Sequence, residues 1–209
     1  MKRRRGIFIT FEGVDGCGKS TQAKRLYDCL KKAGYSVILL REPGGTPLSE
    51  RTRAVLLDPA MQIDPLTELL LYEAARAQLT AQLISPMLAS GGIVICDRYF
   101  DSTIAYQGDG RGISRTLITR LNQIASLGIS PDVTFVFDVD YRTSLRRRRR
   151  QADRLEQESQ AFFNRVRRGF RKLASLRRVK LLDGRRSIEI NSDEVREVVE
   201  RLIRRRARD

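Results

Sequence analysis

The chain contains no histidine. That absence removes histidine-dependent triads, imidazole zinc sites and imidazole general bases together, leaving carboxylates, Lys, Arg, hydroxyls and an oxygen-bound metal for any chemistry. Cysteine is scarce as well. Cys17, Cys29 and Cys96 are odd in number and lack metal-ligand spacing, which argues against a disulfide framework. No apolar run approaches the ~20 residues of a membrane-spanning helix. The basic tip, residues 1–5, is followed by a short apolar run, 6–11, that ends at Glu12, so it reads as a first strand behind a solvated end and not as a secretory signal. Repeats and long linkers are missing too. One α/β domain over residues 1–209, cytoplasmic and with no membrane partner, is the expectation.

What is present is a soluble globular composition, 41% hydrophobic and 31% charged, with a formal net charge of +15. Such a charge fits either nucleic-acid binding or a basic surface around a site for small polyphosphates, and charge alone does not choose. Along the chain, β-rich runs alternate with helical periodicity. Residues 6–11 lead into a glycine-rich turn at 13–20, and Ala23, Leu26, Tyr27, Leu30 and Ala33 then recur at helical spacing up to Gly34. Further strands are predicted at 36–40, 93–96, 133–139 and 179–182. Helices are predicted at 48–57, from Asp64-Pro65 to about 89, at 114–126, to about 176, and from Ser192-Asp193-Glu194 to 204–206. A glycine-rich loop is expected at 108–112. Five strands alternating with helices imply a parallel sheet covered on both faces.

Gly13-Val14-Asp15-Gly16-Cys17-Gly18-Lys19-Ser20 fits the phosphate-binding pattern G-x-x-x-x-G-K-[ST], between a strand and a helix as that pattern requires. Glycines let backbone N–H groups wind inward around phosphate oxygens, and the helix start adds its positive end. An ATP site therefore falls on Gly13, Val14, Asp15, Gly16, Cys17, Gly18, Lys19, Ser20 and Thr21. Lys19 would reach the β- and γ-phosphates and Ser20 would hold Mg²⁺. Cys17 reads as a small space-filling residue before it reads as a redox switch.

A second stretch, Ile95-Cys96-Asp97-Arg98-Tyr99-Phe100-Asp101-Ser102-Thr103-Ile104-Ala105-Tyr106-Gln107, together with this loop resembles the signature of thymidylate kinases. Arg41-Glu42-Pro43-Gly44-Gly45-Thr46, Tyr72-Glu73-Ala74-Ala75-Arg76 and Asp153-Arg154-Leu155-Glu156-Gln157-Glu158-Ser159 are similar to segments of that family in the same order, and the likeness runs over nearly the whole chain. The resemblance implies a P-loop NTPase fold with a five-stranded parallel sheet, a mobile lid at about 146–158, a homodimer, and ATP with Mg²⁺ and dTMP as reactants. It implies that Tyr72, where the family often has Phe, stacks on thymine and that Arg76 serves the exocyclic oxygen. Ser102, Thr103 and Gln107 would line the dTMP site, with Tyr106 against the sugar, where a 2′-hydroxyl would crowd it. Asp15 would accept from the 3′-hydroxyl, with Glu42 and Pro43 beside the acceptor.

Arg98 and Arg53 are the candidate clamps on the acceptor phosphate, because a guanidinium binds two phosphate oxygens side by side. Asp97 would hold Mg²⁺ through water. Gly16 supplies no charge where some thymidylate kinases carry arginine, so the resemblance is to the bacterial type and assigns catalysis to Lys19, Arg98 and the lid residue Arg154. The five arginines 146–150 read mostly as solvated background, with a minor role open to Arg150. Two rivals stand beside this reading: another nucleotide or deoxynucleoside kinase, and a P-loop ATPase that binds nucleic acid. No aromatics interleave the arginines at 146–150, so no stacking platform is available there and nucleic acid is not the expected partner.

Overall fold

The computed structural model describes residues 6–148 and 152–208. Five parallel strands run β1 Ile7–Gly13, β2 Val37–Arg41, β3 Ile93–Asp97, β4 Val133–Asp138 and β5 Val179–Asp183, in the spatial order β2-β3-β1-β4-β5. The three central strands are buried almost end to end, which is why they read as unbroken apolar runs and not as alternating ones. Helices α1 Lys19–Lys32, α2 Pro47–Leu57, α3 Pro65–Leu79, α4 Ser85–Ala89, α5 Phe100–Thr103, α6 Arg115–Ala125, α7 Tyr141–Arg147, α8 Gln160–Lys172 and α9 Ile188–Arg208 make the connections.

Two cores lie against the sheet. Ile9, Phe11, Ile95, Phe135 and Phe137 belong to one, packed with Leu26, Phe162, Phe170 and Val199. Phe8, Val94, Cys96 and Tyr99 pack with Leu79, Ile84 and Leu88 in the other. Residues of β1 therefore alternate between faces, and its even positions change from Phe8 to Thr10 to Glu12 toward the strand's C-terminal end. Those last two carry polar atoms into the sheet just below the loops that build the site.

Local chemistry sets the helix starts. Asp64 accepts from Leu66 N at 2.8 Å with Pro65 behind it, and Thr46 accepts from Ser49 N at 3.2 Å ahead of Pro47. Gly34 sits at φ 84, as a C′ residue after α1 requires. One expectation is met with a local difference, and two need correction. The long helix from Pro65 does reach Ala89, but through a π-helical stretch, Thr80–Ile84. Residues 108–110 are not loop: α5 continues as a π-helical segment, Ile104–Gly110, because α8 packs on it closely enough that a Cβ on Gly110 would meet Phe162 at 2.8 Å. The last helix begins at Ile188 and not at Ser192, since Ser187 Oγ accepts from Ile190 N at 3.2 Å and so caps it earlier.

Among the described residues, no helix is long and apolar enough to cross a membrane.

Candidate active site

The loops that follow the C-terminal ends of the strands converge, as ligand loops do in open parallel sheets. Between β1 and α1 the glycine-rich loop turns at Gly16, φ 75, and Gly18, φ 99. A Cβ on Gly16 would meet Ser144 O at 2.6 Å, so α7 packs where any larger side chain would stand. The first turn of α1 leaves its N–H groups without intrahelical acceptors, which suits an anion. Lys19, only 6% exposed, lies against the loop and reaches Asp15 Oδ1 at 3.3 Å. Cys17 is buried inside the loop, and burial pushes its thiol up, the reverse of an activated thiolate.

Arg98 follows β3 with φ 73, a conformation that non-glycine residues avoid. Its N–H donates to Phe11 O at 2.9 Å, and its guanidinium donates to Gly13 O at 2.9 Å, Ser102 Oγ at 3.1 Å and Asp15 Oδ1 at 2.6 Å. Burial works against the charge on Asp15, but Arg98 and Lys19 beside it outweigh that and hold its carboxyl below the usual range. Tyr106 Oη lies 3.3 Å from Asp15 Oδ2, and Arg98 sits over its ring at 5.2 Å.

Three connected spaces open onto this centre. The first, about 480 Å³ with its mouth, is lined by Tyr72, Ser102, Thr103, Tyr106 and Gln107, by Glu42, Pro43 and Arg53, and by Asp15 and Arg98. The second, about 1090 Å³, runs from residues 16–22 past Arg146, Arg147 and Arg186 to Asn191. Between them a third, about 1080 Å³, shares Asp15, Arg53 and Arg98 with the first and Gly16, Lys19, Ser20 and Arg147 with the second. One trough thus leads from the glycine loop to the aromatic pocket. Ser20 Oγ donates to Asp97 Oδ2 at its floor, and Asp97 Oδ1 is buried without a partner. Two oxygen donors plus phosphate and water suit Mg²⁺, which is seldom caged by protein alone. Among the described residues there is no cluster of three or more acidic or sulfur ligands for a metal.

Two predicted residues lie elsewhere. Arg76 is 1% exposed and does not line the pocket; it donates to Glu42 at 2.9 Å, Glu73 at 2.7 Å, Asn122 at 2.9 Å and Thr103 Oγ1 at 2.8 Å. Arg154 lines none of the three spaces; it donates to Leu56 O at 2.9 Å and pairs with Glu68 at 2.6 Å. Burial lifts Glu42 to about 7 even beside Arg76. Arg147 and Arg148 are not mere background: they donate to Gly184 O at 2.8 Å and Glu156 O at 3.0 Å and line the trough. Arg150 lies outside the described residues.

Sequence reading passed over Glu12 and Glu68. Glu12 Oε1 accepts from Tyr99 N at 2.7 Å and Oε2 from Ser102 Oγ at 2.6 Å, so it holds both residues that flank and brace Arg98. The available signal was a carboxylate two positions from Thr10 in a strand, hence on the same buried face. Glu68 stands four residues before Tyr72 and eight before Arg76, one helix face. Burial and then the charge on Asp101 push Glu12 up to about 8. A carboxyl raised in the fold binds a proton that the unfolded chain releases between its ordinary value of 4.5 and about 8, so its contribution to stability is lost as pH rises through that window. Unfolding free energy should fall with a slope of up to about 1.4 kcal/mol per pH unit from this group. In Glu12→Gln, urea melts at pH 5.5 to 8.5 should show a flatter profile; an unchanged slope would refute the assignment.

The family model described as "Thymidylate kinase" matches residues 11–195. The chain is 44% identical to the thymidylate kinase of Geobacter sulfurreducens over 96% of this chain and 100% of that one. It is 50% identical to that of Deinococcus radiodurans over 81% and 83%. Its fold is similar to the crystal structure of the thymidylate kinase from Ehrlichia chaffeensis, with a TM-score of 0.77 and 39% identity over 94% and 99% of the two chains.

Proposed function

The chain belongs to the thymidylate kinase family, a dTMP kinase that transfers the γ-phosphoryl group of ATP to dTMP, and from that premise we propose how its trough divides the work. ATP occupies the space along residues 16–22, dTMP the aromatic pocket, and transfer takes place where the two meet. The observation that carries this is the meeting itself: Lys19, Asp15 and Arg98 share one junction between the two spaces.

A phosphate monoester has a second pKa near ~6, so the acceptor is its own dianionic nucleophile and needs no base. A chain without histidine loses nothing by that. Lys19 draws charge from the β- and γ-phosphates, while Arg98 and Arg53 hold the acceptor phosphate in line. Arg98 already spends one edge on Gly13 O and Asp15, which fixes the direction of the rest. Asp15, held ionised, accepts from the sugar 3′-hydroxyl, and Tyr106 crowds a 2′-hydroxyl. Tyr72 stacks on the base, with Glu42 and Pro43 beside it, and Arg76 acts on its edge from behind Thr103. Mg²⁺ held by Ser20, and through water by Asp97, would neutralise phosphate charge.

Residues 1–209 act as one cytoplasmic kinase domain whose lid, about 146–158, carries Arg154. Arg154 now rests on Glu68, and it would move to the phosphates as the lid closes. Leu66 and Leu70 on α3 and Leu117 and Ile124 on α6, each pair on one stripe, are exposed on helices that pack together, which supports a homodimer through this face.

ADP formation from MgATP should be rapid with dTMP, weaker with dUMP and negligible with UMP; preference for another monophosphate would overturn the division of the pocket. Arg154→Ala should lower kcat by at least about tenfold, more than it raises the acceptor KM, and an unchanged kcat would remove it from the transition state. Sedimentation should give a dimer for the wild type and a monomer for Ile124→Glu; a monomeric wild type would end the dimer proposal.

A further inference from the structure

Glu68 has no exposed surface and takes no part in phosphoryl transfer, yet three hydrogen-bond donors and the charge of Arg154 converge on it. Its Oε1 accepts from Gln107 Nε2 at 2.8 Å and Arg111 Nε at 3.2 Å. Its Oε2 accepts from Arg111 Nη2 at 3.0 Å and pairs with Arg154 Nη2 at 2.6 Å. An ionised carboxylate can only accept, so the Gln107 amide must turn its NH₂ group toward Glu68 and its carbonyl oxygen the other way. Gln107 is 1% exposed and lines the aromatic pocket, and no donor reaches its Oε1 among the described residues.

Thr103 stands four residues earlier on the same helical segment and also lines the pocket. Its Oγ1 accepts from Arg76 Nη2 at 2.8 Å. Arginine only donates, so the Thr103 hydroxyl hydrogen is left for another acceptor. The pocket edge therefore offers a donor at Thr103 beside an acceptor at Gln107. Thymine and uracil present the complement, a carbonyl oxygen at position 4 beside N3–H. Cytosine presents the reverse, an amine beside a bare N3.

We propose that Glu68 is a positioning residue for base selection, holding the Gln107 carbonyl toward the acceptor base so that an N3–H is required there and cytosine is rejected. This rests on the assignment of the aromatic pocket to the acceptor nucleotide. Burial opposes the charge on Glu68, but hydrogen bonds from Arg111 and Gln107 hold its carboxyl below the usual range, so it remains an acceptor at neutral pH. The same carboxylate anchors Arg154, and through Arg111 it is linked to Glu158, so base selection and lid attachment share one buried charge.

The test is kcat/KM for dTMP, dUMP and dCMP with saturating MgATP in the wild type, Glu68→Gln and Gln107→Leu. A side-chain amide at position 68 can donate as well as accept, which frees Gln107 to turn over. In Glu68→Gln the dTMP-to-dCMP ratio should fall by roughly tenfold or more, while the dTMP-to-dUMP ratio, set by the 5-methyl contact, stays within about threefold. A simple loosening would lower all three acceptors alike or move both ratios, and either result overturns the proposal. Gln107→Leu leaves Glu68 in place and should show the same split; an unchanged dTMP-to-dCMP ratio there overturns it even if Glu68→Gln does not fold. A wild type idle with all three acceptors would instead overturn the pocket assignment, and the proposal with it.

Discussion

Arg98 and Asp15, 2.6 Å apart, tie the loop after β1 to the loop after β3. The strands are neighbours in parallel register, Phe11 opposite Asp97, so both loops leave the sheet at one level. Arg98 accepts a left-handed backbone to stand there, held by Phe11 O, Gly13 O and Asp15. Glu12 braces the next turn through Tyr99 N and Ser102. A phosphate-binding loop and an acceptor clamp thereby become one rigid junction, and the pockets on either side take their places from it.

Below that junction three sets of ionisable groups are buried or nearly so. Glu42, Glu73 and Arg76 form one set; Asp101 and Arg178, with Thr10 and Thr134, form another beside Glu12; Glu68 and Arg111 form a third. Desolvation makes such groups poor sources of net stability. Their value lies in fixed polarity: a guanidinium can only donate and an ionised carboxylate such as Glu68 can only accept, so each dictates how a neighbouring hydroxyl or amide must point. Apolar packing on both faces, from Phe11 and Phe135 to Phe8 and Tyr99, supplies the cohesion that lets these groups stay buried.

The excess of positive charge divides in the same way. Arg53, Arg98, Arg147 and Arg148 line the trough, where phosphates would neutralise them. On α9, Arg201 and Arg204 pair with Glu197 and Glu200 across one turn in the solvent, an arrangement worth a few tenths of a kcal/mol at most. A basic composition by itself distinguishes neither use.

Strand and helix order, the capped starts at Thr46 and Asp64 and the glycine loop were legible in the chain because each depends on residues within a few positions of one another. The family segments located the walls of the pocket for the same reason. What the chain could not disclose was side-chain direction across long separations. Arg76 sits behind Thr103 because Glu42 and Asn122, 34 and 46 residues away, claim its donors. Arg154 rests on Glu68, and the helix at 108–110 continues because α8 packs upon it. Local sequence determined which groups stand at each loop; only the tertiary structure decided which buried partner each would face, because that choice is made by distant residues competing for the same few hydrogen-bonding sites.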